Sequence, residues 1–133
     1  MNATAIPTNH DEAERAVLGA LMLQPDRICD VRATLMEDDF ATSRHRLVWR
    51  ALCDLDDRRV PVDMLTLTET LRAAGTLDSV GGKEMLIELG LAVTSTSHVV
   101  QHARCVADAS GLRRLNALVD RVKTAVPDVG VGT

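Results

Sequence analysis

The sequence is almost free of aromatic residues, with Phe40 and Trp49 as its complete set and no tyrosine. Modules that bind single-stranded nucleic acid commonly stack bases on aromatic side chains, and this chain has almost no rings for that purpose. Hydrophobic residues still make up 46% of the chain, so its core must consist of Leu, Val, Ala and Met. An aliphatic core of this kind favours packed helices over a sheet.

Cysteine is also scarce. Cys29, Cys53 and Cys105 are widely spaced, and the sequence has no Cys-x-x-Cys pair and no Cys/His cluster. This spacing supports neither a zinc site nor a disulfide framework, so we expect small buried thiols in a reducing cytoplasm. No basic, apolar leader precedes residue 12 and no apolar run is long enough to span a bilayer, which predicts a soluble cytoplasmic protein without membrane contact.

A phosphate-binding loop of the Walker type is missing as well. The double glycine Gly81-Gly82 is followed by Lys83 and Glu84, without the hydroxyl that binds magnesium and without the upstream glycine and strand. The sequence therefore predicts no ATPase motor in this chain.

The histidines suggest two further sites, and neither has a complete set of partners. His45 could form a base and carboxylate pair with Asp38 or Asp39, as a small hydrolase would need, but no nucleophile is tied to it by spacing. His98 and His102 stand at i and i+4, a spacing compatible with a metal, but no third ligand is near in sequence. We therefore predict no catalytic residue, no cofactor and no metal.

The charge is unevenly distributed around a net value of −4. Residues 1–96 hold 10 basic and 16 acidic side chains, a balance of −6, whereas residues 97–126 hold 5 and 2, a balance of +3. An acidic head with a mildly basic tail is typical of solvated helix surfaces. A helix-turn-helix DNA reader around residues 75–82 is the alternative, but Glu84 and Glu88 would face the phosphates there. We expect no direct nucleic-acid binding.

Apolar residues recur at helical spacing along most of the chain and define its organisation. The pattern predicts an N-terminal arm at residues 1–10, a helical head at 11–96, a long C-terminal helix at 97–126 and a tail at 127–133. Gly111 predicts a kink or break in the long helix. The predicted fold is an all-α bundle of five or six short helices with a longer C-terminal one. Its helical stripes are Ala13, Ala16, Val17, Ala20 and Leu21; Ile28, Val31 and Leu35; Leu47, Val48, Ala51, Leu52 and Leu55; and Val99, Ala103 and Val106, followed by Leu115, Leu118, Val119 and Val122.

The stretch from Val60 to Leu89 has the clearest local signals. Asp63 follows an extended Pro61-Val62 pair and is a helix N-cap, and Gly75 occupies the left-handed position that ends a helix. Gly81-Gly82 then breaks the chain before a second amphipathic segment. The sequence therefore predicts two helices joined by a tight turn that contains glycine.

These residues resemble the N-terminal domain of bacterial DnaB-type replicative helicases, and the likeness extends in one collinear order over about residues 10 to 126. The matching strings are residues 61–67 (Pro-Val-Asp-Met-Leu-Thr-Leu), 77–82 (Leu-Asp-Ser-Val-Gly-Gly), 12–21, 38–40 with 45–46, 103–106 and 112–115.

The resemblance implies a non-catalytic interaction domain that mediates helicase subunit assembly and binds primase during DNA replication. A homodimer is compatible with it. The positions that match the family's contacts on its opening helix, on the helix after Gly-Gly and on its long closing helix are Glu12, Met85 and Leu115.

Two departures from the family pattern leave an alternative open. In the family a second antiparallel helix follows the long one, whereas this sequence stops at Thr133, and Ser110-Gly111 replaces helix-favouring residues. The chain is thus either the head domain of a longer helicase or a freestanding relative that loads, adapts or inhibits helicase or primase.

Overall fold

The computed structural model describes residues 10–92 and 96–125. The predicted arm and tail lie outside these ranges, except for His10, which begins the first helix. The described residues form no strand, and the all-α prediction of short helices followed by a long one is confirmed. The helices are α1 (His10–Leu23), α2 (Ile28–Arg32), α3 (Ser43–Asp57), α4 (Met64–Ala73), α5 (Leu77–Val80), α6 (Gly82–Leu91) and α7 (Val99–Ala125), with 3₁₀ turns at Pro25–Arg27 and Glu37–Asp39.

Helix α1 forms the centre of the bundle and packs against α3, α6 and α7. Its buried residues include Val17, Leu18 and Leu21, which belong to the aliphatic core of the head. The two aromatic residues pack on each other, with the ring centroids of Phe40 and Trp49 5.4 Å apart, and both are buried. The core is therefore aliphatic around one aromatic pair.

Helix α4 begins and ends where its sequence predicts. The Asp63 carboxylate accepts a 2.9 Å hydrogen bond from the backbone N–H of Thr66, and the Thr66 hydroxyl accepts one from the N–H of Asp63. At the other end Gly75 has φ +74, with its N–H donating to the carbonyl of Arg72 and the N–H of Thr76 donating to that of Leu71. This paired arrangement is a Schellman motif.

The corner after α4 contains one more helix than the sequence predicted. The four-residue helix α5 precedes Gly81, which has φ +111 and ends it, and α6 then runs to Leu91. Gly90 lies inside this helix and does not end it.

Helix α3 ends in a second Schellman motif built on a residue other than glycine. The N–H of Arg59 donates to the carbonyl of Asp56, and the N–H of Val60 donates to that of Leu55. Arg59 itself has φ +58, the positive value that favours glycine.

The predicted break at Gly111 is wrong, because α7 is one continuous helix from Val99 to Ala125. A bend of its axis there stays a prediction. The expected burial of the cysteines is also wrong: Cys29 is exposed, while Cys53 and Cys105 are half-buried. Burial raises the pKa of the Cys53 thiol to about 11, so it is an unreactive side chain at neutral pH.

Candidate protein-interaction surfaces

The C-terminal half of α7 carries apolar side chains that nothing in the described chain covers. They recur at i, i+3 and i+7 spacing and therefore share one side of the helix, within an arc of about 120°. We call this set the α7 stripe: Leu112 (60% exposed), Leu115 (54%), Leu118 (52%), Val119 (43%) and Val122 (54%).

The head holds α7 only as far as Arg114. The Arg114 guanidinium forms an ion pair with the buried Asp39 carboxylate and donates at 2.7 Å to the Ser110 hydroxyl. Arg113 donates at 2.9 Å to the backbone carbonyl of Asp39. Beyond these anchors every side chain described on α7 is exposed, so its last turns project from the head.

The exposed side of α6 is a second surface. Two carboxylates and two apolar side chains lie on it, opposite the buried Leu86 and Leu89. We call this set the α6 face: Glu84, Ile87, Glu88 and Leu91.

Inside the head, Glu14 of α1 and His45 of α3 form a fully buried pair. The Glu14 carboxylate lies 2.7 Å from Nδ1 of His45 and accepts a hydrogen bond of 2.6 Å from the backbone N–H of Ala41. A longer one, 3.3 Å, comes from the N–H of Thr42. Thr42 is the N-cap of α3, and its own side chain makes no capping bond. Glu14 therefore caps α3 from another helix, with its negative charge at the positive end of the helix dipole.

The local environment keeps Glu14 ionised. Burial by itself would raise the pKa of this carboxyl, but the hydrogen bond from His45, the backbone N–H of Ala41, the charge of His45 and the N–H of Thr42 together hold it below its ordinary value of 4.5. An ionised carboxylate only accepts hydrogen bonds, so Nδ1 of His45 carries the shared proton.

The hydrolase alternative, in which His45 would pair with Asp38 or Asp39, does not fit the structure. His45 is 1% exposed and bonded to Glu14, so a substrate cannot reach it. Asp39 accepts a 2.8 Å hydrogen bond from the backbone N–H of Met36 and pairs with Arg114. The Glu14–His45 pair therefore has a structural role, because it links α1 to α3.

His98 and His102 lie together near the start of α7, with ring centroids 6.2 Å apart. Nδ1 of His98 is bonded to the Gln101 side chain at 2.9 Å, and burial, followed by the nearby His98 charge, lowers the pKa of His102. No group of three or more potential metal ligands is found within residues 10–92 and 96–125. In the same ranges no helix has the length and apolar character that crossing a membrane requires.

The three residues that the resemblance singled out lie in different settings. Glu12 is exposed on α1 and Leu115 is exposed in the α7 stripe, whereas Met85 is half-buried and packs beside Gly81. Met85 packs against the buried core, so this side of α6 faces the head. Only Leu115 belongs to one of the surfaces defined above.

The described residues form a small all-α domain. It consists of a helical head and one projecting helix, and both expose apolar side chains on the outer sides of helices. The family model described as DnaB-like helicase N terminal domain matches residues 6–108. The chain therefore belongs to the DnaB-like helicase N-terminal domain family, and the resemblance drawn from the sequence is confirmed.

Two helicases illustrate the relation. The replicative DNA helicase DnaB of Geobacillus stearothermophilus is 39% identical over 110 residues, which are 83% of this chain and 24% of that protein. That of Treponema pallidum is 38% identical over 120 residues, 90% of this chain and 27% of that protein. The chain thus spans about a quarter of the length of these two relatives.

Solved structures share the fold. The N-terminal domain of DnaB helicase from Mycobacterium tuberculosis superposes with a TM-score of 0.84 at 33% identity, covering 90% of this chain and 86% of that one. A DnaB-like replicative helicase, described together with its interactions with primase, gives 0.75 at 26% identity and covers 88% of this chain and 28% of that one.

Proposed function

We propose that this chain is a non-catalytic interaction domain of a replicative DNA helicase, which assembles with other helicase subunits and contacts primase in the cytoplasm. The observation that carries the proposal is the α7 stripe on a domain of the DnaB-like family. Covering this much exposed apolar surface with a partner is favourable, because it removes apolar side chains from water.

A second copy of the chain is the partner we propose for the α7 stripe. Leu112, Leu115, Val119 and Val122 follow the alternating three- and four-residue spacing of a coiled-coil seam, in which apolar side chains of two helices interdigitate. The same seam on both copies makes a self-complementary contact, as a two-fold dimer requires.

Sedimentation velocity over a range of protein concentrations tests this assembly. Leu115→Glu places a charge in the seam and should leave the protein monomeric, because burying an unpaired carboxylate opposes association. Ala117→Glu is the matched control: Ala117 is exposed on the same helix, about 200° around the axis from Leu115. A monomeric wild-type protein at all concentrations would refute assembly through this stripe.

Primase contact is the second part of the proposal. The structures of DnaB-like relatives described with primase support it, and Glu12, Met85 and Leu115 are the contact residues that the resemblance proposes. Isothermal titration of the protein with the primase of the same genome tests it. Binding that weakens when Glu12→Ala or Leu115→Ala is introduced supports the assignment, and absence of heat with the wild-type chain contradicts it.

The alternative is a freestanding relative that loads, adapts or inhibits helicase or primase. It uses the same surfaces, so binding experiments do not separate the two roles. The reading frame does: continuation into an ATPase with a Walker loop selects the helicase domain.

A further inference from the structure

The α6 face combines apolar and acidic side chains in one strip. Glu84, Ile87, Glu88 and Leu91 stand at i, i+3, i+4 and i+7, so they occupy an arc of about 100° on the helix. Leu91 is 79% exposed and Ile87 is 41% exposed. Leu86 and Leu89 on the other side fix α6 to the core, and neither Ile87 nor Leu91 belongs to the core cluster.

Helix α6 packs beside α1 in the head. Gly90 lies beside α1, because a Cβ built on it would be 3.9 Å from Cε of Met22. The next residue of α1, Leu23, is 56% exposed. The C-terminal part of α6 therefore lies beside the end of α1, which carries this further exposed apolar side chain.

The two carboxylates of the α6 face differ from most acids on the head. Glu84 and Glu88 take part in no hydrogen bond or ion pair among the described residues, and Lys83, the cation of α6, pairs with neither. Many other exposed acids are neutralised by a nearby arginine. These pairs are Asp11–Arg15, Asp30–Arg27, Glu37–Arg50, Asp54–Arg58, Asp56 and Asp57 with Arg32, and Glu69–Arg72.

We propose that the α6 face binds an amphipathic helix of a partner protein, whose apolar side is flanked by lysine or arginine. Ile87 and Leu91 would meet the apolar side chains of that helix, while Glu84 and Glu88 would pair with its cations. The inference rests on the proposed function and refines it. The centre of the contact moves from Met85, which packs against the core of the head, to the exposed side of the same helix.

Two synthetic helical peptides with the same leucine stripe test the chemistry of the partner. One carries lysines beside the stripe and the other carries glutamates at the same positions. Fluorescence anisotropy with the whole protein should show binding of the lysine peptide that weakens as salt rises, because exposed charges are screened. The glutamate peptide should bind at least tenfold more weakly.

Substitutions on the surface then locate the site. Leu91→Ser should weaken binding of the lysine peptide at least tenfold, because a leucine side chain is no longer buried on association. Leu65→Ser is the matched control, since Leu65 is 70% exposed but lies on α4. Glu84→Gln with Glu88→Gln should remove most of the salt dependence, while Asp38→Asn with Asp78→Asn, which changes the net charge equally, should preserve it.

Three results would overturn the inference. The first is equal binding of the two peptides, and the second is an equal effect of Leu91→Ser and Leu65→Ser on binding of the lysine peptide. The third is a Leu91→Ser protein that binds the peptide normally but no longer self-associates, which would make a second copy of the chain the occupant of the α6 face. Titration with primase separates this failure from that of the proposed function. If wild-type protein and Leu91→Ser bind primase equally, the α6 assignment fails and primase binding stands. If the wild-type chain neither binds primase nor self-associates, the proposed function fails.

Discussion

At the scale of single residues, the most consequential side chain is Glu14, a buried carboxylate whose hydrogen bonds all come from α3 and the loop before it. Glu14→Gln removes the negative charge and places an amide N–H against the N–H groups of Ala41, Thr42 and His45, which all need an acceptor. We expect a loss of about 3 kcal/mol in the free energy of unfolding, because breaking one partner of a buried pair leaves the other uncompensated. Urea denaturation measures it. Glu88→Gln, exposed on α6, is the control and should change stability by less than about 0.5 kcal/mol.

The same carboxylate makes stability depend on pH. Because the native pKa of Glu14 lies below its ordinary value of 4.5, the unfolded chain takes up the proton more readily. Its stabilising contribution is therefore complete above that value and is lost as pH falls through the native pKa. Urea midpoints measured across this acid range should fall more steeply for the wild-type protein than for Glu14→Gln. Glu37, whose pKa is lowered by Arg50, is common to both proteins. Parallel curves would contradict the role of Glu14.

The Glu14–His45 pair was not predicted from the sequence. Glu14 lies close to the start of α1, where acidic residues are common, so its residue type alone gives no sign of burial. Its register was the missed signal: Glu14 is three, four and seven residues before the buried Val17, Leu18 and Leu21. A charged residue within an apolar stripe predicts a buried partner, but the identity of that partner depends on how α1 and α3 pack.

Arg59 provides a test of backbone strain, because it occupies the position in one Schellman motif that Gly75 occupies in the other. Arg59→Gly should raise the free energy of unfolding by about 1 kcal/mol, since glycine adopts φ +58 without a Cβ penalty. Gly75→Ala should lower it by about the same amount, although nothing lies within 4 Å of the new Cβ. Thermal and urea unfolding measure both. A stabilising Gly75→Ala would show that φ at this position is not restricted.

At the scale of elements, α7 continues through Gly111 although glycine is a poor helix former. A Cβ at this exposed position would meet nothing within 4 Å. Gly111→Ala should therefore stabilise the protein by up to about 1 kcal/mol, the opposite sign to Gly75→Ala. Hydrogen exchange measured along α7 would show slower exchange around residue 111. Unchanged or faster exchange there would mean that the glycine serves a bend of the axis.

Helix ends were predictable where their signals are local. Asp63 and Gly75 mark α4 correctly because a cap depends on bonds within a few residues. The end of α3 carries no such signal, since Arg59 is not a typical residue for its left-handed position. The side chain that bonds the N-cap of α3, Glu14, could not be predicted from local signals, because it belongs to another helix.

At the scale of the whole molecule, the same apolar spacing corresponds to buried residues in the first half of α7 and to exposed residues in its second half. Val99, Ala103 and Val106 are buried against the head, whereas Leu115, Leu118 and Val119 are exposed. The spacing of apolar residues gives the direction of a stripe but not what covers it. That distinction required the positions of Arg113 and Arg114, whose bonds to Asp39 mark where the head ends.

If two copies cover each other's α7 stripe, thermal stability must depend on protein concentration, because association stabilises only the folded state. For a folded dimer that unfolds to separate chains, the unfolding midpoint should rise by about 2–3 °C for each tenfold increase in concentration. Leu115→Glu should abolish this slope yet leave the midpoint at low concentration unchanged, since Leu115 is 54% exposed and outside the core of the head. Ala117→Glu should retain the slope. A wild-type midpoint that does not change with concentration would mean that the stripe binds a different protein or none.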